Sequence, residues 1–182
     1  FDYSLIREEG AYISGGFKAP GHKGLQQSLE NIETFLEKKL NNNEIDFTAY
    51  IAYNIFMHLS NAVLSGGVRR SAMNVIMDRT DSKMIHAKTG NWREKNPHFA
   101  RSNNSVGLLK HSFTKEEFKY FLDLNEGDND CGFVLLESED QMFNPCFEIG
   151  FDFYNKITDF NDTVIQMCNL CEISASECKD KK

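Results

Sequence analysis

Apolar positions recur along this chain with more than one period, and each change of period marks an element. Leu25, Leu29, Ile32, Leu36 and Leu40 fall three or four apart, with Glu30, Glu33, Glu37 and Lys38 facing elsewhere. That spacing predicts an amphipathic helix, ended by the asparagines at 41–43. Residues 47–64 are more apolar all round, with Ile51, Ile55, Leu59 and Ala62 on one stripe and Tyr50, Tyr53 and Met57 beside it. A deeply buried helix is expected there. Its His58 reads as a hydrogen-bonded core residue, because no second ligand stands three or four positions away. A glycine turn at 65–71 then leads into 72–77, a mainly apolar run that reads as a short buried strand.

The second half repeats the alternation. Residues 78–104 are polar and irregular, with Trp92 as the expected anchor, and 105–109 and 131–136 read as buried strands. Thr114 followed three positions later by Glu117, ahead of Phe118, Phe121 and Leu122, is the signature of a capped helix start. An acidic turn at 126–130, a loop at 143–151 and a further strand at 163–173 complete the reading. Strands alternating with helices predict an α/β fold with a mainly parallel sheet or barrel.

Composition narrows the classes. With 182 residues, 41% of them hydrophobic and 12% aromatic, the chain can bury one sizeable core. A net charge of -7 argues against coating nucleic acid or lying on an anionic membrane, both of which need clustered Lys and Arg. No apolar run approaches the ~20 residues of a membrane span, and no signal-peptide pattern is present. All five cysteines, at 131, 146, 168, 171 and 178, lie in the last third. An odd number suits a reducing compartment, so the cytoplasm is the expected location. The chain opens Phe1-Asp2-Tyr3 without an initiator Met and reads as a fragment.

Three segments carry candidate chemistry. Gly15, Gly16, Gly21 and Gly24, with Pro20, make 14–24 a loop that lets backbone amides approach a ligand. Lys18, His22 and Lys23 add positive charge, but neither the Walker spacing nor G-x-G-x-x-G is present, and an ordinary connection is the competing reading. Arg69 and Arg70, beside the second glycine turn, suit a phosphate or internal ion pairs. In Asn144-Pro145-Cys146-Phe147-Glu148 the proline disfavours a helix, and extended backbone puts Asn144, Cys146 and Glu148 on one face. Cys168-Asn169-Leu170-Cys171 follows. Cys146, Cys168, Cys171 and Cys178 offer a rival reading as a structural zinc-thiolate or interaction module, though only one C-x-x-C unit exists. A non-radical thiol oxidoreductase built on Cys168 and Cys171 is a third reading.

Taken in order, Phe1-Asp2-Tyr3, the glycine loop, Ser65-Gly66-Gly67-Val68-Arg69-Arg70-Ser71-Ala72, Ser102-Asn103-Asn104-Ser105-Val106, Asn144-Pro145-Cys146-x-Glu148 and Cys168-Asn169-Leu170 form a set. That set resembles the catalytic subunit of ribonucleotide reductases, most closely the adenosylcobalamin-dependent (class II) ribonucleoside-triphosphate reductases. The resemblance implies a ten-stranded α/β barrel with a finger loop inside it. This chain would be a central fragment of that one catalytic domain, with a specificity-loop region at 1–24 and the finger loop and redox-cysteine strand at 141–173. Carried over by motif, Cys146 is the thiyl-radical residue, Glu148 the general base and Asn144 the amide that orients the ribose hydroxyls. Cys168 is one thiol of the redox pair, its partner lying outside the fragment. Gly15, Gly16 and Lys18 belong to the loop that relays effector identity. The implied partners are a ribonucleotide substrate, a dNTP effector and a thioredoxin-like reductant, with no nucleic acid, no membrane and no metal ligand in this chain. The implied cofactor is adenosylcobalamin, or alternatively a separate metal-bearing subunit that generates the radical. Two departures stand out: Phe147 replaces a common glycine, and Cys171 lies close enough to Cys168 to divert the disulfide.

Overall fold

The computed structural model describes residues 1–44, 46–64, 73–139, 141–143 and 150–152. The chain divides into two compact units, Phe1–Ala72 with Asn96–Arg101, and Met73–Lys95 with Ser102–Lys182.

The first unit is built on a helix pair. Helix α1 (Lys23–Asn41) packs against α2 (Ala49–Leu64), as the two apolar periodicities require. The buried side of α2 is turned from the expected stripe. Ile51, Tyr53, Asn54, Met57, His58 and Ser60 are buried, whereas Phe56 and Leu59 are exposed. The physical reason is a short 3-10 turn, Pro97–Arg101, which lies against α2. Its Phe99 is fully buried, with its ring centroid 4.6 Å from that of Tyr53 and 6.1 Å from that of Tyr50. Polar positions on α2 are thereby covered because the turn brings polar partners to them.

The second unit holds a parallel sheet. Strands β1 (Met73–Met77), β2 (Ser102–Leu109) and β3 (Gly132–Leu136) lie in the order β1-β2-β3, all parallel. This establishes a mixed α/β class. Strand β2 begins at Ser102, three positions before the expected start, because Met73 pairs with Ser102 and the whole of β1 finds a partner. The polar start is tolerated because the Ser102 hydroxyl donates to Asn104 Oδ1 at 2.6 Å. The connecting region expected to be irregular also contains two short helices, α3 (Ser82–Ile85) and α4 (Trp92–Lys95).

One face of this sheet is closed by apolar packing. Val106 and Leu108 are fully buried, and Phe133 meets Phe118 of helix α5 (Lys115–Leu124) edge to face at 4.9 Å. Helix α5 starts as its sequence predicts: Thr114 accepts from the Glu117 amide at 3.1 Å, and Glu117 accepts from the Thr114 amide at 2.8 Å. Trp92 is the expected anchor, buried, with its indole donating to the Asp128 carbonyl at 3.0 Å. Beyond β3 a two-stranded antiparallel pair forms from β4 (Gln141–Phe143) and β5 (Gly150–Asp152). Among the described residues no helix is long and apolar enough to cross a membrane.

Candidate functional site

Ligands of open α/β sheets bind outside the carboxyl ends of the parallel strands, and the second unit has a cavity there. It encloses about 460 Å³ beyond the ends of β1, β2 and β3. Its floor is the sheet face opposite α5, formed by Ile76, Gly107 and Leu136. Glycine at 107 is required by close approach, since a Cβ there would lie 2.8 Å from Leu136 Cδ1 and 3.0 Å from Ile76 Cγ2. The rim is polar. Asp78, Arg79 and Thr80 follow β1 directly, Ser112 follows β2, and Glu139 follows β3.

The rim groups are held in fixed states. Asp78 Oδ1 accepts from both the amide and the hydroxyl of Thr80, each at 2.6 Å, and these bonds keep the Asp78 carboxyl below the usual carboxylate range. Arg79 donates to the Ser112 carbonyl at 2.6 Å and lies 3.7 Å from the Glu117 carboxylate. The result is an apolar floor with hydrogen-bond acceptors and one tethered guanidinium at its edge. Such a cavity is of the size that holds a drug-sized molecule. Among the described residues no group of His, Cys, Asp or Glu is arranged to hold a metal ion.

At the opposite, amino-terminal end of these strands sits a buried cation that the sequence did not advertise. Lys88 is 1% exposed, donates to the Ser102 carbonyl at 2.6 Å, pairs with Asp130, and lies 4.9 Å from the Trp92 ring centroid. Burial pulls its pKa down, and the Asp130 carboxylate opposes that shift. Next to it, burial pushes the Cys131 thiol up to about 11, so it stays protonated and unreactive at neutral pH. Nothing near Lys88 in the sequence marks it as buried, because its partners arrive from the starts of two later strands.

In the first unit the glycine loop is a small closed hairpin. Tyr12 bridges to Lys18, the Ile13 amide donates to the Phe17 carbonyl at 2.8 Å, and the Ala19 amide to the Ala11 carbonyl at 2.7 Å. Gly15 and Gly16 take φ of +80° and +78°, and a Cβ on Gly15 would lie 3.0 Å from the Phe17 ring. The Lys18 ammonium lies 6.0 Å from the Tyr12 ring centroid. Gly15, Gly16 and Lys18 are all exposed, so a basic residue and two aromatic rings, Tyr12 and Phe17, face solvent together.

The first unit also holds a histidine pair. His58 was expected to be hydrogen-bonded in the core; it is buried, but stacks on His98 with ring centroids 3.9 Å apart. Its Nδ1 has no hydrogen-bond partner among the described residues. His98, like Lys88, escaped sequence reading because nothing in a polar stretch distinguishes a buried imidazole from a solvated one.

The remaining predicted positions, Asn144, Cys146, Glu148, Cys168, Cys171, Cys178, Arg69 and Arg70, lie outside the described residues, as does the 163–173 strand. What is described is their immediate flank: Phe143 of β4 pairs with Gly150 of β5, on either side of 144–149. Comparison with protein-family models, curated proteins and solved structures gives no match to this chain.

Proposed function

We propose that this chain is part of the catalytic subunit of a ribonucleotide reductase, acting on ribonucleoside triphosphates or diphosphates by thiyl-radical chemistry. The observation that carries this reading is the ordered set of motifs, above all Asn144-Pro145-Cys146-x-Glu148 followed by Cys168. Two structural features support it. The strands 73–77, 102–109 and 132–136 are consecutive and parallel, as adjoining strands of an α/β barrel would be. The antiparallel pairing of β4 with β5, the segments that flank Asn144-Pro145-Cys146-x-Glu148, is compatible with the finger-loop reading.

In this reading the Cys146 thiyl abstracts the 3′ hydrogen of the ribose, because the weak S–H bond makes hydrogen-atom exchange with carbon reversible. Glu148 accepts the 3′-hydroxyl proton, and Asn144 orients the hydroxyls. The 2′-hydroxyl then leaves as water while two thiols, Cys168 among them, are oxidised to a disulfide, and hydrogen returns from Cys146 to the 3′ carbon. Gly15, Gly16 and Lys18 sit on the loop that communicates with a dNTP effector, and a thioredoxin-like dithiol restores the cysteines. Adenosylcobalamin would supply the initial radical, or a metal-bearing subunit would.

The test is deoxynucleotide formation from CTP or CDP with a dithiol reductant, with and without adenosylcobalamin, using the chain within its longer parent protein and the Cys146→Ala variant. Activity that needs both cobalamin and Cys146 is expected. Activity that needs Cys146 alone moves radical generation to a second subunit. Turnover that ignores Cys146 would refute the radical mechanism and return the cysteines to zinc or simple thiol chemistry.

A further inference from the structure

Asn54, His58 and Asn61 recur at the four- and three-residue steps of one face of α2, and the turn Pro97–Arg101 meets them in register. His98 Nε2 is 3.1 Å from Asn54 Oδ1, the His98 ring stacks on His58, and Arg101 Nε donates to Asn61 Oδ1 at 3.3 Å. The tautomer follows from the geometry. Asn54 Nδ2 donates to the Tyr50 carbonyl at 2.9 Å, so Oδ1 is the acceptor and His98 must be the donor through Nε2–H. Neutral His98 therefore satisfies this contact. A proton on His58 Nδ1 would point into a buried place with no acceptor among the described residues.

Among the described residues neither ring is paired with a carboxylate. On the turn, the neighbouring charge is Arg101; on α2, the titratable groups besides His58 are Tyr50 and Tyr53. Helix α1, packed on α2, brings Lys39, whose ammonium lies 5.9 Å from the Tyr50 ring and is paired with Glu44.

We propose that the His58–His98 stack is an acid-operated latch, which holds the turn Pro97–Arg101 on α2 when both rings are neutral and releases it when they take up protons. Burial and the neighbouring His58 hold the His98 pKa down to about 4, and burial lowers that of His58 as well. The sign follows. A histidine whose folded pKa is depressed contributes stability that is complete above about 6.5 and is lost as pH falls toward the folded value. The chain runs directly from Arg101 into Ser102 of β2, so release would free the entry to the strand that carries Asn103, Asn104 and Ser105.

Amide hydrogen exchange on the 182-residue chain tests the latch, with rates corrected for the intrinsic dependence on pH. The probe is the Phe99 amide, which donates to the Asn96 carbonyl at 3.0 Å. Between pH 6.5 and 5 its opening constant should rise about 15-fold for one proton taken up at His98, and further if His58 takes up a second. Amides in the middle of α1 should change far less. His98→Gln, which can still donate to Asn54 but cannot titrate, should cut this rise to no more than what His58 alone supplies, and His58→Phe, which keeps a ring in the stack, should reduce it. An unchanged Phe99 amide would overturn the proposal. So would a rise that persists unaltered in both variants, or equal loss of protection throughout α1 and α2, which would make the event global unfolding.

Discussion

Replacing Lys88 tests whether a buried cation or its hydrocarbon stem holds the amino-terminal ends of β2 and β3. The side chain is 1% exposed, and its ammonium bonds the Ser102 carbonyl and the Asp130 carboxylate, which is itself 43% exposed. Lys88→Ala removes about three buried methylenes, worth ~0.8 kcal/mol each, or about 2.4 kcal/mol. It also leaves the Ser102 carbonyl without its donor, which costs about 1–3 kcal/mol. The loss of the Asp130 partner adds little, because water can solvate a carboxylate that is nearly half exposed. The expected total is about 4 kcal/mol, a large share of the ~5–15 kcal/mol by which domains are stable. Lys88→Met keeps the stem but leaves the same Ser102 carbonyl without its donor, so about 1–3 kcal/mol is expected. Trp92, the single tryptophan, lies against Lys88, so its fluorescence during urea unfolding reports on this site directly. If Ala costs under about 1 kcal/mol, or if Met costs as much as Ala, the division between stem and charge is wrong.

Other expectations are simpler to check. Gly107→Ala should cost about 1–3 kcal/mol in urea, because the new methyl meets Leu136 and Ile76 side chains that already close over the position; a neutral result would mean that both side chains swing aside freely. Thr114→Ala removes one half of the capping box on α5 and should cost about 1 kcal/mol, whereas Thr114→Ser should be nearly silent. With its thiol pushed up to about 11, Cys131 should resist iodoacetamide at pH 8 in the folded chain and react once urea unfolds it, as peptide mapping would show. Prompt labelling of folded Cys131 would mean the strand start is open to solvent.

The helices and hydrophobic strands were readable because each is specified locally: α1 by its three-four spacing, α5 by Thr114 and Glu117, β3 by its continuous apolar run. What escaped is settled between distant residues. Ser102, Asn103 and Asn104 read as loop, yet they are strand because β1 supplies their ladder partners. The buried side of α2 departed from its most aliphatic stripe because Asn54, His58 and Asn61 are covered by a turn more than thirty positions further along the chain. The cavity rim was invisible for the same reason. Asp78, Arg79, Ser112 and Glu139 are ordinary surface residue types that become neighbours only when three parallel strands bring their ends together.

The interleaving of the two units bears on how the molecule is made. During vectorial synthesis α1 and α2 leave the ribosome first, but the Phe99 ring and the His98 imidazole that complete their packing emerge only after β1 and α3 have been translated. The helix pair must therefore wait, incompletely covered, while part of the second unit is already outside, and it closes only when residue 101 has cleared the exit tunnel. A nascent chain stalled before that point carries an uncovered flank on α2, with Tyr53 and the polar side chains of Asn54 and His58 left without their partners from the turn. A single backbone cut between 73 and 101 would leave neither unit whole on one piece.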